Sequence, residues 1–153
     1  MCYLIDGYNL FFHLYDSMER FESFLLEIDL MLKQNSIRAT FIFDRKEFPQ
    51  NDLPRVRELE HIEIIFAPFD TCADRFIFEW LRNKKPEQYT ICSNDRWVIQ
   101  EAQRKYIKTL SISRFLLICT KKSKDSLHEK PAIERDIHRY LNIFKASDDT
   151  ENP

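Results

Sequence analysis

Cys2-Tyr3-Leu4-Ile5-Asp6-Gly7-Tyr8-Asn9 opens the chain with a short apolar run that stops at an acid and a glycine. Gly7 is the only glycine among 153 residues. Glycine permits backbone angles and close approaches that a Cβ forbids, so a chain that avoids it elsewhere marks this junction. Residues 2–5 read as a strand. In open α/β sheets, ligands bind outside the carboxyl ends of the strands, so the four residues Asp6 to Asn9 point toward a site.

Outward from this junction, apolar runs alternate with helical periodicity. The stripe Phe21, Phe24, Leu25, Ile28, Met31 and Leu32 predicts a helix over 17–35. Residues 38–43 read as a second strand. The polar stretch 45–60, with Pro49 and Pro54, predicts a loop and then a short helix. A third strand is expected at 62–67, then a helix over 71–84 that buries Ala73, Phe76, Ile77, Trp80 and Leu81. A fourth strand at 88–92 precedes a helix over 95–105 carrying Trp97, Val98 and Ala102. Residues 106–110 suit a short edge strand, and Ser113 suits the cap of a helix through Phe115, Leu116, Ile118 and Cys119. Pro131 is positioned to open a last helix with Ile133, Ile137, Leu141 and Phe144 on one face. Strands alternating with helices imply parallel βαβ units. The expected fold is therefore an α/β three-layer sandwich with a mainly parallel sheet of four to five strands. It forms one domain over 1–145, followed by a polar, disordered tail at 146–153.

Composition narrows the class. Apolar residues make up 44% and charged residues 31%, ordinary for a soluble domain. No run approaches the ~18 apolar residues of a membrane span, and the first residues lack the basic flank of a secretion signal. Cys2, Cys72, Cys92 and Cys119 are scattered without a CxxC pair, as in a reduced cytoplasmic protein. The net charge of −2 conceals an asymmetry. Residues 1–74 hold 7 Lys/Arg against 14 Asp/Glu, whereas residues 75–124 hold 12 against 4. A basic segment in an otherwise acidic chain suits a polyanionic partner, or a set of solvated helix faces.

Several apolar runs end at an aspartate: Ile5 at Asp6, Phe43 at Asp44, Cys92 at Asp95 after Ser93-Asn94, and Ala67 at Asp70. Parallel strands would deliver these acids to one edge, joined by Asp74 in the first turn of the following helix. Such a cluster repels itself unless a cation sits among its members. Mg²⁺ or Mn²⁺, which prefer oxygen ligands, are the natural occupants. Each acid also has a local role open to it. Asp74 stands three residues after Thr71, as in a capping box. Asp95 starts a helix, and Asp44 suits a turn. Asn9 suits an N-cap, an orienter of Asp6 or a substrate contact. Arg75, Arg96 and Arg114 fall near helix starts and suit phosphate contacts, with Lys121, Lys122 and Lys124 as a peripheral patch. Tyr8 and Trp97 suit stacking on unpaired bases, or core packing. None of His13, His61, His128 and His138 is placed for acid–base work.

Leu4-Ile5-Asp6-Gly7-Tyr8-Asn9-Leu10 resembles the opening motif of NYN-domain nucleases, in particular the YacP-like branch of the PIN-like group. Phe41-Ile42-Phe43-Asp44 matches that family's second acid, and Ser93-Asn94-Asp95-Arg96 its element after the fourth strand. Thr71-Cys72-Ala73-Asp74-Arg75-Phe76-Ile77 resembles its third element with one residue inserted, which shifts Asp74 by a fraction of a helical turn. The resemblance implies a Rossmann-like PIN fold and a metal-dependent endoribonuclease acting on ribosome-associated or messenger RNA. By the same resemblance, Asp6, Asp74 and Asp95 would hold Mg²⁺ or Mn²⁺, with Asp44 as a further catalytic carboxylate. A non-catalytic RNA-binding or ribosome-associated module on the same fold is the rival. A phosphotransferase using Asp6 as nucleophile is disfavoured, because a second aspartate two residues on is replaced by Tyr8. A dinucleotide site is disfavoured because one glycine cannot build a GxGxxG turn.

Overall fold

The computed structural model describes residues 2–15, 17–45 and 56–120. The helix proposed from Pro131, the lysines at 121, 122 and 124, the prolines at 49 and 54, and the tail at 146–153 lie outside these residues. Strand β1 (Cys2–Asp6) leads directly into helix α1 (Gly7–Leu14). A 3₁₀ turn at Met18–Arg20 precedes α2 (Phe21–Gln34), followed by β2 (Ala39–Phe43), β3 (Val56–Glu58) and β4 (Ile62–Phe66). Then come α3 (Ala73–Leu81), β5 (Tyr89–Cys92), α4 (Arg96–Arg104), β6 (Lys108–Leu110) and α5 (Ile112–Thr120).

The strands form one sheet in the order β3-β4-β2-β1-β5-β6. Pairings β1 with β2, β1 with β5, β2 with β4 and β5 with β6 are parallel, and only β3 with β4 is antiparallel. Both faces are covered. On one side Ile5, Phe41, Phe43 and Phe66 pack against residues of α1, α2 and α5. On the other, Leu4, Ile42, Ile65 and Ile91 pack against residues of α3 and α4. Alternate residues of each strand therefore feed opposite cores, as strand geometry requires. Strand β2 is buried along its whole length, as expected of a parallel strand sandwiched between helix layers.

The sandwich and its mainly parallel sheet agree with the sequence reading, but the sheet has six strands rather than four to five. The difference is β3, in the stretch expected to end in a short helix. Its backbone closes a tight hairpin onto β4, with the Leu59 N–H donating to the Ile62 carbonyl at 2.8 Å. Arg57 on β3 donates two hydrogen bonds to the Glu22 carboxylate of α2, at 2.7 and 2.9 Å. Such charge on a short edge strand discourages pairing with another chain. Helix α1 is a further element beyond the expected set, and it buries Tyr8, Leu10, Phe11 and Leu14. All six apolar residues of the predicted α2 stripe are buried.

Candidate active site

Order in the sheet reverses at β1: the chain proceeds to β2 on one side and later to β5 on the other. The crevice at this switch, outside the carboxyl ends of the strands, is where α/β sheets bind ligands. A cleft of about 650 Å³ opens there, walled by Asp6, Asp44, Asp74 and Asp95 together with Asn9 and Phe12. Three strand ends and one helix start thus converge, and among the described residues no lysine or arginine lines the cleft.

Each acid is held by the local structure. Asp6 caps α1, accepting from the Asn9 N–H at 3.4 Å. Asp95 caps α4, accepting from the Val98 N–H at 3.1 Å. Asp44 caps a helix that begins 29 residues further along the chain: its Oδ1 accepts from the Ala73 N–H of α3 at 2.6 Å. The anticipated box between Thr71 and Asp74 does not form, because the cap position falls at Cys72, whose side chain makes no capping bond. Asp74 is thereby left facing the cleft, with its Oδ1 accepting from the Arg75 N–H at 3.0 Å. The inserted residue has not turned Asp74 away. Asp70 is exposed and does not join the wall.

Electrostatics follow from this crowding. Burial, the largest cause, raises the Asp6 carboxyl to about 6. The Asn9 N–H opposes that shift, while the charges of Asp44, Asp74 and Asp95 add to it. All three neighbours are therefore close enough to press on Asp6.

Asn9 is not an N-cap. Its Oδ1 accepts from the Asn94 N–H at 2.8 Å, and the Oδ1 of Asn94 accepts from the Ile112 N–H at 3.1 Å. These two bonds tie α1 to the loop bearing Asp95 and to the start of α5. The hydroxyl of Ser111, not Ser113, completes that start by accepting from the Arg114 N–H. Tyr8 lines the cleft, yet its ring is only 9% exposed, stacked on Phe12 and edge-on to Phe43, and its hydroxyl donates to the Asp44 carbonyl. Packing rather than base stacking occupies it. Phe12, 47% exposed in the same wall, is the aromatic surface that the sequence reading missed. His13 also lines the cleft, and burial lowers its imidazole pKa. Both stand on α1, whose helical spacing from Asp6 was the available signal. Arg75, Arg96 and Arg114 are exposed and stand outside the cleft wall. Trp97 is 43% exposed on α4 and therefore not a core residue.

Fold and cleft together define a Rossmann-like, PIN-like α/β sandwich with an acidic pocket at its topological switch point. Among solved structures the chain is similar to Rae1 (YacP) from Bacillus subtilis. The W164L mutant matches with a TM-score of 0.60 at 15% identity, covering 96% of this chain and 99% of that one. A second structure of Rae1 (YacP) matches with a TM-score of 0.58 at 14% identity, covering 99% of this chain and 85% of the other. The fold is YacP-like. No family model and no curated protein matches the chain. Among the described residues, no helix is long and apolar enough to cross a membrane.

Proposed function

We propose that the protein is a cytoplasmic, metal-dependent endoribonuclease that hydrolyses phosphodiester bonds of ribosome-associated or messenger RNA. The observation that carries this reading is the convergence of Asp6, Asp44, Asp74 and Asp95 on one cleft of a YacP-like fold. The four carboxylates offer oxygen donors, and among the described residues no lysine or arginine stands in the wall beside them, which suits Mg²⁺ or Mn²⁺. Among the described residues no three acidic, thiol or imidazole side chains are arranged to grip one ion directly. An ion bound through one or two carboxylates and otherwise through water, the usual state of Mg²⁺ in phosphate chemistry, suits such a wall.

Asp6, Asp74 and Asp95 would hold the ion, partly through water, and the ion when bound neutralises phosphoryl charge and lowers the pKa of an attacking water. The remaining roles belong to the chain itself. Asp44 anchors the first turn of α3 and so fixes Asp74. Asn9 fixes the loop carrying Asp95. Arg75, Arg96 and Arg114, at helix starts beside the cleft, would bind flanking phosphates. The rival reading is an RNA-binding module without catalysis on the same fold.

The test is cleavage of end-labelled RNA in Mn²⁺ by the wild type and by Asp6→Asn and Asp74→Asn. Each variant should lose activity by orders of magnitude with an unchanged circular dichroism spectrum. Equal cleavage by all three proteins would overturn the assignment. RNA binding that survives EDTA, without cleavage of any RNA, would select the rival.

A further inference from the structure

A second groove, of about 500 Å³, lies between α3 and α4. Arg75, Arg82 and Lys105 line it together with Phe78 and the exposed indole of Trp97. The Trp97 and Phe78 rings meet edge to face, with centroids 5.8 Å apart, and the Lys105 ammonium lies 6.0 Å from the Phe78 centroid. None of the ion pairs among the described residues draws on Arg75, Arg82 or Lys105. Two acids share the lining. Glu101 is engaged by Arg104 at 2.9 Å, and Glu79 is set against three cations. Over residues 75–108 the chain carries 8 Lys/Arg against 4 Asp/Glu. Three of these eight cations line the groove.

We infer that this groove is a binding site for single-stranded RNA, holding the strand that leads to or from the acidic cleft. An aromatic surface beside cations on a groove is the chemistry by which single strands are held without sequence reading: bases stack on the ring and phosphates meet the charges. Continuity with the cleft fixes the direction. Asp74 lines the cleft and Arg75, the next residue, lines the groove; Asp95 lines the cleft and Trp97, two residues on, lines the groove. Helices α3 and α4 both start at the cleft, and the groove runs between them. A metal-bearing acidic pocket repels the backbone on either side of the bond it cuts, so a basic groove beside it supplies affinity that the pocket cannot. This inference rests on RNA being the substrate.

The experiment is fluorescence anisotropy of a labelled single-stranded RNA oligonucleotide in EDTA, where cleavage is suspended. Trp97→Ala should weaken binding about tenfold, the usual consequence of removing one stacking platform. Trp97→Phe should restore most of it, while Trp97→Leu, which keeps bulk without a large ring, should not. Arg82→Glu and Lys105→Glu should weaken binding and flatten its salt dependence. Lys33→Gln, on α2 across the sheet from the groove, should bind as the wild type does. Wild-type affinity in the groove variants overturns the proposal even if Asp6→Asn abolishes cleavage, and transfers the groove to a protein partner. Lost affinity in those variants, from a protein that cleaves no RNA, overturns the nuclease reading and leaves the groove assigned.

Discussion

The ring of Phe43 occupies the space that a side chain on residue 7 would need. A Cβ built on Gly7 would come within 2.7 Å of three carbons of that ring. Phe43 is fully buried, edge-on to Tyr8 and Phe21, so it has no room to withdraw. Gly7 has no positive φ, and its role is space rather than an unusual backbone angle. The close approach that the sole glycine permits is that of a core aromatic ring packed beneath Asp6. Gly7→Ala should therefore destabilise the protein by about 1–3 kcal/mol, as overpacking does. Adding Phe43→Leu should recover part of that loss, giving a measurable coupling in a double-mutant cycle of urea unfolding.

A second prediction concerns Asp44, whose Oδ1 accepts from the Ala73 N–H at 2.6 Å. Asp44→Ala should cost about 1 kcal/mol, the usual worth of a cap, and should reduce cleavage further by loosening Asp74. Asp44→Asn keeps an acceptor and should retain most of the stability. If the two variants unfold at the same urea concentration, the bond to Ala73 contributes nothing.

Much of this arrangement was legible in the sequence, because strand ends and helix faces leave periodic marks. The runs ending at Asp6, Asp44 and Asp95 showed the sheet edge directly, and the α2 stripe showed a buried helix face. What escaped was set by tertiary pairing. Three residues of β3 are too short for a period to show, and only the hairpin onto β4 makes them a strand. The bond from Asp44 to Ala73 spans 29 positions, so no local motif announces it. Thr71 to Asp74 has the spacing of a capping box, but Asp44 already satisfies the helix start. Trp97 looked like a core residue by type, yet on α4 only Val98 and Ala102 are buried.

The carboxyl of Asp6 gives a third prediction. Its pKa is raised from the ordinary carboxylate value to about 6, chiefly by burial. A raised acid favours the fold while protonated, an advantage present below about pH 4 and lost as pH rises through about 6. In EDTA the wild type should therefore lose stability relative to Asp6→Asn between pH 4 and 7. The shift corresponds to at most about 3 kcal/mol. Asparagine preserves the cap on α1, so the comparison isolates the charge. Adding Mn²⁺ at pH 7 should raise the melting temperature of the wild type and leave Asp6→Asn unmoved. A pH dependence identical in both proteins would show that Asp6 ionises as freely as in the unfolded chain.

Asn9 carries the last prediction, because its amide oxygen holds the Asn94 N–H at 2.8 Å and so sets the loop from which Asp95 enters the cleft. Asn94 is exposed, so water can replace the lost acceptor and Asn9→Ala should change the urea midpoint little. Cleavage is more demanding, since a misplacement of about 1 Å can cost ~100-fold in rate. Asn9→Ala should therefore lower kcat about tenfold to a hundredfold. Asn9→Asp separates geometry from charge. It keeps the acceptor for Asn94 but adds a carboxylate to a cleft that already holds four. A further negative charge raises the pH at which Asp6 ionises, so the acid limb of the pH–rate profile should move to higher pH while the plateau falls less than in Asn9→Ala. If Asn9→Asp shows the wild-type acid limb, the added carboxylate is not coupled to the group whose ionisation sets that limb, and the electrostatic part of the prediction fails.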